Sequence, residues 1–280
     1  MKPLSITKRI LLTGLILVFP LIFSCKKNKE VDLNPILNAS NDNMISYRAF
    51  IQVFRMLVKA SVDSTVQSTG HGLIDGAVIA YDSLADTYTF LYQGNQGPDS
   101  VIRYGYYTVD LTGDLYSEGT KGEFTFVGYG EDSHLITGQD SVVNEGILGG
   151  VSMKFNMQVR DAMITKDSIR KIYLQTDLSF YVDPVIQHQG FQQQVIFIQG
   201  TALGLTSMGL SFSSSISSPL EDHFNCPWIR EGIISVDVPS AEASSATMIF
   251  QGQTACTDRI NYDFNGILYQ WRIQEKYLKY

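Results

Sequence analysis

Hydrophobic and polar positions follow three regimes along this chain. From Ile10 to Ile22 the residues are uncharged and largely apolar, behind Lys2, Lys8 and Arg9. Between Met44 and Val62 the apolar residues Tyr47, Phe50, Ile51, Phe54, Leu57 and Val58 fall at steps of three and four. Arg48, Gln52, Arg55 and Lys59 take the other faces, and Asn41 or Asp42 stands where a cap belongs. That spacing predicts an amphipathic helix over residues 44–66, with its stripe docked on a core or offered to a partner. From about Gly76 the period falls to two. Val151, Met153, Phe155, Met157 and Val159 alternate with polar residues, and so do Ile172, Leu174, Thr176, Leu178, Phe180 and Val182. Such alternation predicts long antiparallel strands with one buried and one wet face.

Breaks at Gly94-Asn95, Asn144 to Gly150 and Asn265-Gly266 supply turns between roughly a dozen strands, with no second helix. The expected fold is all-β: an antiparallel, β-sandwich-like body over residues 67–280 behind a short N-terminal helix. Two stretches resemble each other, Thr89–Asn95 and Thr247–Gln253, preceded by Gly76 and Gly232 and followed by Asp99–Tyr104 and Asp258–Tyr262. They suggest two related β units, 67–150 and 151–280. The alternative is two hairpins alike by chance.

The apolar run ends in Leu21-Ile22-Phe23-Ser24-Cys25. A cationic start, a short apolar core and a small residue before the cut read as a secretory signal over residues 1–24. With Cys directly after Ser24, it resembles a bacterial lipoprotein signal, which implies that Cys25 carries lipid. Phe23 is bulkier than that pattern usually has. Residues 25–43, with Lys26, Lys27 and Lys29 and then Asn and Asp, read as a solvated tether.

The formal net charge is −7; residues 1–24 hold three of the cations and no acid, so the chain from Cys25 carries −10. That balance argues against nucleic acid or an anionic lipid surface as partner. Tyr and Phe are plentiful, which favours strands. Cys226 and Cys256 are the remaining thiols, and in an oxidising compartment they are expected to form a disulfide. Without CxxC spacing, no redox chemistry is expected of them.

Gly200–Gly209, Ile216–Leu220, Cys226-Pro-Trp-Ile-Arg-Glu-Gly232 and Cys256-Thr-Asp258 through Asn265-Gly266 together resemble the C-terminal signature of an uncharacterised group of Bacteroidetes-type envelope lipoproteins. The run Tyr106–Asn144 is similar to that group's preceding strands. The likeness spans about residues 70–275 and rests on Gly, Cys and strand spacing. It implies an outer-membrane lipoprotein, with either face open, and no activity.

Catalytic signatures are sparse. The zinc-protease helix, nucleophile elbow and phosphate loop are missing; Gly209–Ser213 comes nearest to the elbow but has Ser at its fifth position. His71, His134, His188 and His223 are scattered and read as exposed or turn residues, so no metal or cofactor is expected. Asn261-Tyr-Asp263-Phe-Asn265-Gly266 resembles half a calcium loop, but Arg272 stands where the bidentate Glu belongs, and Asn265-Gly266 is also a hairpin signal. Asp-Ser followed by an aliphatic residue or Thr recurs more often than composition predicts, placing Ser64, Ser83, Ser100, Ser141 and Ser168 in a pattern that resembles an O-glycosylation acceptor of exported Bacteroidetes-type proteins. Turn chemistry explains the same tripeptides. Trp228, Trp271, Tyr104, Tyr106 and Tyr107 would stack on sugar rings if one face exposed them; packing is the plainer use. The expectation is a lipid-anchored, non-enzymatic envelope protein that binds a glycan, an adhesive contact or an envelope-complex partner. The alternative is a polysaccharide or peptidoglycan hydrolase built from distant carboxylates.

Overall fold

The computed structural model describes residues 31–165, 169–184, 186, 194–250 and 256–272, with the backbone alone for Trp271 and Arg272. Cys25, Ser168 and His188 lie outside the described residues. A helix α1 (Asn34–Val62) and a short α2 (Ser64–Thr69) precede fourteen strands. These are β1 (His71–Ile74), β2 (Ala77–Asp82), β3 (Thr87–Gln96), β4 (Ile102–Leu111), β5 (Lys121–Glu131), β6 (His134–Leu148) and β7 (Ser152–Thr165). There follow β8 (Lys171–Val182), β9 (Val195–Leu205), β10 (Ser211–His223), β11 (Ile229–Asp237), β12 (Ser245–Phe250), β13 (Arg259–Phe264) and β14 (Ile267–Arg272). Every strand pairs antiparallel with its sequence neighbour, so the order along the single sheet is the order along the chain.

Helix α1 begins ten residues before Met44, with Pro35 in its first turn, where the missing N–H costs nothing. The polar residues 34–43 are not solvated tether. Ser207 accepts from Asn38 and donates its N–H to Asp42, the expected cap, which lies inside the helix; Ser214 donates to Asn43. Asp63 stops α1 with an extended backbone, and its carboxylate then accepts from Thr65 and Val66 N–H to cap α2.

Almost every face of α1 is buried, not one stripe. Phe50 meets Phe126 of β5 edge-on, and Phe54 stacks on Phe180 of β8 at 4.0 Å. Tyr47 hydrogen-bonds Ser214 of β10. One helix reaching strands so far apart in the order requires the sheet to curl around it. The strands are antiparallel as expected, but the two layers of a sandwich are replaced by one open sheet with the helix inside. The sheet continues unbroken from β6 into β7, and the described residues from Leu33 onward form one compact unit, with no division near residue 150. Thr89–Asn95 lies in β3 and Thr247 to Phe250 in β12, while Gln251 to Gln253 of the second stretch lie outside the described residues.

Strand phase follows the alternation, with help from bulges. Met153, Phe155, Met157 and Val159 face inward on β7; a register shift between Val159 and Ala162 then lets Ala162 and Ile164 stay inside. Gly138 opposite that bulge permits the close approach, since a Cβ there would lie 2.9 Å from the Ala162 Cα. Gly94 marks another bulge within β3, not the expected turn. Asn265 and Gly266, both at positive φ, form the β13–β14 hairpin turn.

Candidate binding surfaces

A cleft runs along α1 past Tyr47, Ile51 and Arg55. Its opposite wall is the end of the β10–β11 hairpin, with Asp222, Pro227 and Trp228, and Asp99 of the β3–β4 connection closes the rim. Its open space, counting the solvent-facing part, is about 530 Å³. Arg55 builds the wall: Nη1 donates to Asp222 at 2.6 Å, and Nη2 donates to the carbonyls of His223 and Phe224. The guanidinium also sits 5.5 Å from the Phe224 ring centre. Cys226, one residue before Pro227, is joined to Cys256 ahead of β13, with the Cα atoms 5.5 Å apart.

The buried charges here are paired. Arg103 grips Asp99 with two bonds of 3.0 and 2.6 Å and donates through Nε to Glu131 at 2.8 Å. Glu131 also accepts from Tyr129 and from Arg48 of α1. Burial works against the Glu131 carboxylate, yet Arg103 and Arg48 prevail and hold its pKa down to about 2. Asp222 goes the other way: burial raises its pKa, and Arg55 and Lys59 offset that only in part. Lys59, paired with Asp75, is lowered by burial and then by Arg55. Asp222 Oδ2 and Arg55 Nε are buried without a hydrogen-bond partner among the described residues. The helix spacing puts Arg55 and Lys59 off the apolar stripe, yet both are buried; their acidic partners, on β10 and in the β1–β2 turn, give no local signal.

The outer face of β1–β5 is ordered into three cross-strand rows. Leu73, Val78, Leu91, Tyr106 and Val127 pair successively into an apolar row, with all but the half-buried Leu91 exposed. Ala80, Thr89, Thr108 and Thr125 form the next row. Asp82, Thr87, Asp110 and Glu123 form the third, an acidic one. The face therefore grades from apolar to hydroxyl to negative over four residues of strand.

Of the aromatic residues that could have stacked on sugar rings, Tyr107 and Trp228 serve as packing, the plainer use. Tyr107 points into the core and Trp228 is buried, Tyr106 faces outward, and Tyr104 packs over Gly130. The Trp271 side chain lies outside the described residues. His134 is buried, not in an exposed turn, and His223 lies between Glu221 and Arg230. Among the described residues no cluster of three or more metal-binding side chains occurs. Ser64, Ser83 and Ser100 are exposed, and Ser141 is half-buried on the outer face of β6. In the first three cases the preceding Asp accepts from the N–H two residues on, at Thr65, Leu84 and Val101, which is Asx-turn chemistry. A scan against protein-family models and searches of curated proteins and of solved structures find no match.

Proposed function

We infer that this chain is a lipid-anchored protein of the bacterial outer membrane that works by binding, and that an envelope protein is its partner. The observation carrying this reading is the apolar row Leu73–Val78–Leu91–Tyr106–Val127, with an acidic row on the same face beyond the threonines. A continuous exposed apolar strip is unusual on a soluble surface and marks contact with another macromolecule. It is aliphatic with a single aromatic, which suits a protein better than a sugar ring. The acidic row beyond the threonines calls for a partner that carries Lys or Arg at that distance from its own apolar strip. O-glycans at Ser64, Ser83 and Ser100 would be borne on turns and a helix end, outside that row.

A photo-crosslinking residue placed at Tyr106 in intact cells should capture one discrete envelope protein. Val78→Asp with Val127→Asp should abolish the product without lowering the melting temperature by more than a few degrees. Equal capture from Phe197, which lies away from these rows, would remove the reading.

Hydrolysis has one observation in its favour, since Asp99 and Asp222 both line the cleft. Each is held by an arginine, and both Asp99 oxygens are already engaged, which leaves little for general acid–base work. Turnover of a glycan or peptidoglycan panel, lost in Asp222→Asn, would reverse the choice.

A further inference from the structure

The start of α1 fixes one end of the protein near the anchor. Cys25 precedes Asn34 by nine residues, and at about 3.5 Å per residue they reach no farther than about 30 Å. Asn38 and Asp42, in the first turns of α1, are hydrogen-bonded to Ser207 in the β9–β10 turn. Met208 follows in that turn. Just inside it, on the outer face, Leu205 pairs with Tyr173 of β8, and Leu203 lies two residues back. All four side chains are between 41% and 61% exposed. Tyr173, Leu203 and Leu205 also border a shallow groove of about 490 Å³, counting its open part. Its floor depends on Gly204, where a Cβ would lie 2.2 Å from the Tyr173 carbonyl oxygen.

We propose that Tyr173, Leu203, Leu205 and Met208 form a membrane-contacting face, seated in the bilayer interface beside the tether. This rests on the reading of Cys25 as the anchor point. The contact is apolar rather than charge-led, consistent with a mature chain of net charge −10. An amphipathic surface of this kind buries its apolar side chains a few Å into the headgroup boundary. Nearness to the start of α1, where the tether joins, favours this patch over the β1–β5 row. That row adjoins Phe126, which packs on Phe50, and Asp75, which pairs with Lys59. It therefore lies about 20 Å farther along α1, at 1.5 Å per residue. Anchored in this way, the protein holds the β1–β5 row away from the lipid, where a partner can reach it.

The test uses the mature chain from Cys25. With Cys226 and Cys256 bonded to each other, Cys25 is the one free thiol and couples to a maleimide lipid in phosphatidylcholine vesicles at about one protein per vesicle. Hydroxyl-radical footprinting then reads side-chain exposure. Oxidation of Met208 and Tyr173 should fall at least threefold relative to the uncoupled chain, with Tyr106 unchanged. Met208→Asp with Leu205→Asp should return Tyr173 to its free rate. Equal rates with and without vesicles, or protection of Tyr106 instead, would overturn the proposal. Protection that appears only at high protein density would assign the face to a second copy and also overturn it. Because the maleimide supplies the anchor, these outcomes stand apart from whether Cys25 is acylated in cells, which palmitate labelling decides.

Discussion

Asp140 shows most sharply what a single residue can cost this fold. It points inward from β6, fully desolvated, and neither carboxyl oxygen has a hydrogen-bond partner among the described residues. Burial pushes its pKa well up, and the nearby Ser141 backbone N–H lowers it only in part, without making a hydrogen bond. Because the folded value exceeds the unfolded one, the folded state favours the protonated form. The group's contribution to stability is greatest below the unfolded pKa and declines as pH rises through the folded one. Asp140→Leu should therefore stabilise the protein at neutral pH by about 1–3 kcal/mol, the usual penalty of an unpaired buried polar group. In denaturant titrations the gap between variant and wild type should widen from pH 5 to pH 8; a constant gap would mean that Asp140 does not titrate there. Glu131 is the opposite case, held near 2 by Arg103 and Arg48, so its contribution persists above its unfolded pKa and fades only in strong acid. Sequence distinguishes neither residue, since a lone Asp or Glu in an alternating strand looks the same wherever its side chain ends up.

At the scale of elements, the strands were legible and the helix only partly so. Apart from Val151, which lies exposed in the turn before β7, the alternation in β7 and β8 matches their inward positions, because a period of two leaves a half-buried strand no other phase. The helical spacing found α1 but suggested a single buried stripe. Arg55 and Lys59 misled because their countercharges, Asp222 and Asp75, come from other elements, and the polar start of α1 misled because its partners, Ser207 and Ser214, lie more than 160 residues away. The cysteine pairing was legible because only two thiols follow Cys25. It joins the β10–β11 hairpin end to the start of β13, beside the wall that Arg55 holds. Breaking a loop of about 30 residues should cost on the order of 3 kcal/mol. Intact-mass analysis after alkylation without reductant should leave Cys226 and Cys256 unmodified. Cys226→Ser with Cys256→Ser should lower the denaturation midpoint accordingly, and labelling of both thiols in the untreated protein would exclude the bridge.

At the scale of the molecule, period and turn signals specify strands but not how they close, and a meander of fourteen can stack into two layers or curl into one. The choice here follows from α1, which is buried on almost every face and so needs cover on every side. Its apolar side chains lie in the core, and its buried Asp42, Asn43, Arg55 and Lys59 pair with groups outside the helix. Neither the cross-strand rows nor the face beside Ser207 exists until register is set, which is why no linear pattern announced them. The proposed acylation of Cys25, read from the linear pattern, is the premise that gives both surfaces a direction. A single acyl chain binds a membrane only marginally, whereas the multiple chains expected on a lipoprotein cysteine hold durably. The four side chains of the proposed membrane face add far less than such an anchor and should not retain the protein alone. Cys25→Ser should therefore move the protein out of the detergent-soluble membrane fraction, with palmitate label present in the wild type and lost in the variant. Membrane retention of an unlabelled Cys25→Ser protein would mean that a partner or the apolar face, and not the lipid, does the holding.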